Sequence, residues 1–383
     1  MLTFSRVLLA TLLAVVLAAC GEPAPSSSSG GAGGGGAGGA GASSGAATMA
    51  GPGGAGGAGG AGGSVESPAW TTVLDAQDLD GAVLSVWGSA PGDVYAVGGP
   101  LGNDGFETLA VHFDGAGWHR LHPGGTETYW WVAGSGPMDV WMVGEKGRIT
   151  HWDGAAFTEH ASGVTATLWG VWAASATEAW AVGGTPNGGI GAPNDIVLRW
   201  DGAAWKPEPL PGAPLGRTLY KIWGSGADDL YAVGEKGTIW RRTGGAWSLL
   251  EPALTQGKLL TVSGCGAGEV YAVGGSTVLR SNGGAFAKVD DVTLTNLVNG
   301  VACGPSGSAL IVGDGGQKQR LVDGAWIDEF ALDPSDDLHG AWSDGQGAFW
   351  AAGGDFYGAP VAGKKRRGVV ARFGSGTVSG VVQ

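Results

Sequence analysis

A pattern that returns seven times at a mean spacing of about 42 residues, short apolar runs bounded by Gly and Asp, and no 3.6-residue periodicity together predict an all-β fold. The expected architecture is a seven-bladed β-propeller of four-stranded antiparallel blades over residues 67–383. An export leader and a low-complexity tether are expected ahead of it.

The leader comes first. Arg6 supplies a short positive region, and Val7 to Val16 form an apolar run too short for an ordinary membrane span. The run ends in Leu17-Ala18-Ala19-Cys20, which resembles the bacterial lipobox. That resemblance implies cleavage after residue 19 and a diacylglycerol on the Cys20 sulfur. Gly21 at the next position implies, by the same resemblance, the outer membrane or cell surface.

The tether follows. Residues 21–66 are almost entirely Gly, Ala, Ser and Pro, with Glu22 and Glu66 as their only charges. Such a segment buries too little apolar surface to offset its chain entropy and is expected to stay disordered. A coil of this composition reaches about 40 Å end to end.

The remaining 317 residues are long for one ordinary core and normal for a repeat array. The first repeat reads Val86-Trp87-Gly88-Ser89, then Asp93-Val94-Tyr95-Ala96-Val97-Gly98. Later units align at Ala133, Trp172, Trp223, Ser263, Ala302 and Trp342, with separations of 46, 39, 51, 40, 39 and 40 residues. In each unit strand a surrounds the Trp87 slot, strand b follows an acid (Asp93, Asp139, Glu178, Asp229, Glu269), and strands c and d follow in turn. Asp-Gly pairs at 114–115, 153–154, 201–202 and 323–324 mark the c–d hairpins. Buried strands sandwiched between neighbouring blades account for the apolar runs.

Arg280-Ser281-Asn282-Gly283-Gly284-Ala285-Phe286 resembles the Asp-box turn of BNR-repeat propellers, and Glu269–Phe286 is similar to repeats of the photosystem II assembly-factor propeller. Most turns here are one residue shorter than that box and lack its Ser or Thr. The resemblance spans 67–383 and implies the propeller fold. It leaves function open among sialidases, assembly factors and surface proteins, because one fold hosts many activities.

Ring closure follows from spacing. Trp70 lies 17 residues before Trp87, within the 15–18 that separate other strand-d aromatics from the next strand a. Ala69–Leu74 therefore reads as the outer strand of blade seven, removing an open edge. The tail Thr377–Val382 competes for the same place.

Chemistry is sparse. The leader holds one basic residue, so 21 basic and 34 acidic side chains become 20 and 34, a balance of −14 that argues against nucleic acid. The basic run Lys364–Arg367 reads as a solvated loop. Sialidase chemistry would need arginines converging from several blades. Arg199, Arg241, Arg280 and Arg372 instead share one strand-c slot with His112 and His151, and a residue repeated in every blade is architectural. No cofactor motif appears, and no metal loop. Asp75, Asp78, Asp80, Asp333, Asp336 and Asp337 would meet if the ring closes, but their spacing matches no calcium loop.

The b–c turns and d–a crossings vary in length, whereas the a–b and c–d turns are nearly constant. Long loops on a rigid frame usually carry binding residues. The variable face is thus the expected binding surface, with Tyr129, Trp130, Trp131, Tyr220, Phe356 and Tyr357 as its aromatic candidates. Of the 18 tryptophans, fourteen fill repeat slots where packing between blades explains them. Cys265 and Cys303 lie just after strand a in adjacent blades and form either a disulfide or two buried thiols. The expected function is an envelope-anchored binding or scaffolding module for protein or glycan. A periplasmic assembly factor and a sialidase-like glycoside hydrolase are the alternatives.

Overall fold

The computed structural model describes residues 67–382 except 76–78, 80, 103–105, 266–267, 359–360, 362–363, 377 and 381. Cys20, the tether, Asp78, Asp80 and Thr377 lie outside the described residues. Seven four-stranded sheets follow one another along the chain, and every strand pair whose register is defined is antiparallel. Six blades are built from consecutive strands and span 82–120, 129–160, 168–207, 219–249, 261–288 and 298–328. Each strand a touches strand a of the next blade, and the seventh touches the first, so the ring is closed.

Blade seven joins the two ends of the chain. Its inner strands are Leu338–Ser343, Phe349–Gly354 and Gly368–Gly374, and its outermost strand is Ala69–Asp75. Trp70 stands opposite Phe373, their rings edge-on at 5.7 Å, and its indole N–H donates to Glu329 of blade six at 2.7 Å. Val73 and Leu74 are fully buried. The described residues of the C-terminal tail add no strand to blade seven, and Val382 instead forms an isolated parallel bridge with Trp118 of blade one. Val378 and Val382 pack against the cluster that contains Val73 and Trp118.

The repeat encodes a radial ladder in the first five blades. Trp87 on strand a stands opposite Tyr95 on strand b, which stands opposite His112 on strand c. Tyr95 stacks on His112 at 4.3 Å, and the acid that opens strand b closes the ladder, with Asp93 Oδ1 2.6 Å from His112 Nε2. Blades two to five repeat it as Asp139–His151 (2.8 Å), Glu178–Arg199 (2.5 Å), Asp229–Arg241 (3.0 Å) and Glu269–Arg280 (2.6 Å). Each strand-c partner lies over an aromatic ring of its own blade, such as His151 over Trp141 at 4.2 Å and Arg241 over Tyr231 at 5.1 Å. Each acid pairs within its own blade, not with a neighbouring turn.

The Trp-Gly dipeptide works between blades. The rings of Trp87, Trp172, Trp223 and Trp342 lie against Gly134, Gly224, Gly264 and Gly88 of the following blade. A Cβ on those glycines would approach a ring atom to 2.8, 3.1, 2.0 and 2.8 Å respectively. Where the slot holds Ala133, Ser263 or Ala302 instead, the next blade carries Ala173, Cys303 or Ser343. At the seam of blades five and six, a disulfide between Cys265 and Cys303 takes the place of that packing, with Cα atoms 4.5 Å apart. Closing this loop of sequence separation 38 contributes about 3–4 kcal/mol on the chain-entropy account.

Candidate functional site

The central axis is lined in three layers, because strand a presents three successive slots to it. In six blades strand a carries a register shift that leaves one residue out of the ladder: Leu84, Trp130, Trp169, Tyr220, Asn299 or His339. Such a bulge re-aims the extra side chain. Leu84, Trp130, Trp169 and Tyr220 join Leu260 in one buried apolar cluster, which Leu101 and Phe356 complete from the long b–c loops of blades one and seven. Trp130 and Trp169 meet at 4.5 Å. The buried guanidinium of Arg366 fastens the two loops together, donating to the carbonyls of Pro100 (3.2 Å), Asp355 (2.8 Å), Tyr357 (3.1 Å) and Gly358 (3.1 Å).

These contacts correct the expected binding face. Tyr129, Trp130, Tyr220 and Phe356 are at most 2 % exposed, so they seal the axis and the blade seams and offer no surface to a ligand. Tyr129 donates its hydroxyl proton to Thr150 Oγ1 at 2.7 Å. Tyr357 is half-buried and donates to Asp314 at 2.8 Å. The long loops are largely committed to the plug. Arg367 of the basic run is an ion-pair partner, holding Asp75 at 2.9 Å and pairing with Asp336, while Asp337 accepts the Gly315 N–H. Arg366 and Arg367 are therefore part of the fold, whereas Lys364 and Lys365 are exposed. Among the described residues no group of three or more metal-ligating side chains converges.

The middle layer holds Ser85, Trp131, Gly170, Lys221, Thr261, Gly300 and Gly340, and Trp131 is its one large ring. Lys221 lies over that ring with Nζ 4.3 Å from the centroid, and donates to the Trp169 carbonyl at 2.9 Å. His339 is buried beside them, and its Nδ1–H donates to the Leu84 carbonyl at 2.6 Å. Burial first, and the Lys221 charge second, push the His339 pKa down to about 3, so the ring stays neutral.

The third layer opens. Trp87, Trp172, Trp223 and Trp342, with Ala133, Ser263 and Ala302 between them, surround a cavity of about 240 Å³ on the face of the a–b turns. All seven blades contribute to its wall, Trp131 reaches it from the middle layer, and Cys303 of the disulfide sits in the lining. The four repeat-slot tryptophans are half-buried, not sealed between blades as their recurrence suggested. The detectable signal was the alternation of 85 with 87 along strand a, which aims both slots at the same side. A second hollow of about 480 Å³ lies in the seam of blades four and five, lined by Leu249, Leu250, Pro252, Leu254 and Phe286. Its one cation, Arg241, is already paired with Asp229. The arginines of the shared strand-c slot sit one to a blade, and Arg199, Arg241 and Arg280 are each tied to their own acid, so they do not gather around a shared substrate position.

No family profile and no curated protein matches the chain. Solved structures do. The chain is similar to YCF48 bound to D1 peptide, at 14% identity and a TM-score of 0.58, over 80% of this chain and 97% of that one. YCF48 from Cyanidioschyzon merolae matches at 14% identity and a TM-score of 0.56, over 80% and 98%. The WD40 propeller domain of Doa1 matches at 9% identity and a TM-score of 0.59, over 79% and 97%. At these identities the likeness shows the propeller fold alone.

Proposed function

We propose that the chain is a non-catalytic recognition propeller, held at the cell envelope by a lipidated Cys20, that docks a protein partner on the a–b-turn face around the tryptophan funnel. The carrying observation is a cavity built by all seven blades and left open at one end, while the opposite end of the axis is sealed. Half-buried Trp rings on a rigid frame are the usual anchors of protein recognition. A protein suits this wall better than a glycan. Among the described residues the only side-chain oxygen acceptors lining it are the Ser263 and Ser343 hydroxyls, too few for a ring of sugar hydroxyls. One similar propeller is itself described as bound to a peptide, which agrees with this reading. Replacing Cys20 by Ser is expected to move the protein from the membrane to the soluble fraction.

Capture from envelope extract tests the docking face. Wild type should retain a partner that W87A/W342A loses by about tenfold or more, as expected when anchor residues are removed. The variable-face variant I190S should retain it, since Ile190 is 81 % exposed on the loop of blade three. All three proteins must first show matching β-sheet circular dichroism. Loss in I190S with retention in W87A/W342A would place docking on the variable loops.

A further inference from the structure

We propose that the funnel takes a carboxylate side chain of the partner, presented beside an apolar residue; this rests on the funnel being the docking site. The hydrogen-bond inventory of the lining carries the inference. Trp indoles are donors only. Among the described residues the indole N–H groups of Trp70, Trp118, Trp141, Trp169, Trp180, Trp200 and Trp247 all have protein acceptors. Those of Trp87, Trp131, Trp172, Trp223 and Trp342 have none among the described residues and, unlike the unpaired indoles of Trp130, Trp205, Trp240 and Trp350, are not sealed from solvent. The residues that line this small cavity thus bring five unpaired indole donors and two side-chain hydroxyls. Its complement is an acceptor-rich group, and a carboxylate offers about four lone-pair sites in a planar shape.

One lysine stands beside the funnel. The fourteen slots that face the channel in the middle and open layers contain a single ionisable side chain, Lys221. Of the acids that open strand b, Glu178, Asp229 and Glu269 are paired with an arginine of their own blade, and Asp93 and Asp139 are hydrogen-bonded to His112 and His151. Aromatic funnels commonly take cations on their ring faces. In this one the Trp131 ring already carries Lys221, whose charge opposes a second cation and draws density from the ring, making its N–H a better donor. The volume suits one side chain and falls below that of ordinary small-molecule pockets, which start at about 300 Å³.

The test follows the indole N–H resonances of the ¹⁵N-labelled mature chain by NMR. The probes are phenylacetate, phenylacetamide, phenethylamine and acetyl-Leu-Asp-Leu-amide. Phenylacetate and the blocked peptide should shift the five funnel indoles and leave the seven bonded ones in place. Phenylacetamide should bind at least tenfold more weakly, and phenethylamine should not bind. K221M, with unchanged melting, should weaken phenylacetate by tenfold or more. Equal or tighter binding of phenethylamine or phenylacetamide would overturn the inference. Binding of phenylacetate without the peptide would replace the protein partner by a free small acid. If no probe moves the funnel indoles while W87A/W342A still loses its partner, the carboxylate assignment fails and the docking face stands. If capture is also indifferent to the funnel, both fail.

Discussion

Deleting residues 67–75 is expected to lower the thermal midpoint of the propeller by more than about 10 °C, the largest effect anticipated for any short deletion. Val73 and Leu74 are fully buried, and losing them removes about 1.5–3 kcal/mol each. The deletion also strips Trp70 from buried Glu329, which accepts both that indole N–H and the Arg320 guanidinium. Hydrogen bonds to charged groups are worth about 1.5–3 kcal/mol. These losses together reach about 5 kcal/mol or more, and a chain of this size shifts by about 2 °C for each. An exposed edge on Gly368–Gly374 should add aggregation on heating. Calorimetry of the two proteins decides the point. Equal midpoints would mean that the C-terminal tail can close the ring.

Gly264→Ala should destabilise by about 1–3 kcal/mol, the penalty for an overpacked core, and should do so only while Trp223 is present. A Cβ at 264 would meet three Trp223 ring atoms at 2.0–2.5 Å and no backbone atom among its nearest neighbours. In a Trp223→Ala background the same change should be nearly neutral. Denaturant melts of the four proteins give the coupling directly. An equal penalty in both backgrounds would place the conflict inside blade five and break the inter-blade account. The natural sequence points toward coupling, since the one blade with Trp172-Ala173 follows the blade that carries Ala133.

That pairing also marks what a single sequence displays. Blade number, strand order and the closing strand at Ala69–Asp75 were legible, because each follows from spacing alone. The acid and cation slots were legible as architecture, though not their pairing within one blade. The funnel was not. Trp87 and Gly88 read as one motif, whereas the ring packs on Gly134 a full blade away. The plug was hidden for a different reason. A bulge puts Trp130 and Trp131 both beside the axis, although simple alternation sends adjacent residues to opposite faces. Loop length likewise carried no sign that Leu101 and Phe356 fold inward onto the axis.

The central claim is that recognition occurs on the a–b-turn face, and hydrogen exchange on the captured complex tests it most directly. Backbone amides of the a–b turns at 89–93, 135–139, 175–178 and 225–229 should slow on partner binding. Those of the 184–195 loop, on the opposite face, should exchange as in the free protein. Slowing confined to 184–195 and the other b–c loops, with the a–b turns unchanged, would contradict the account.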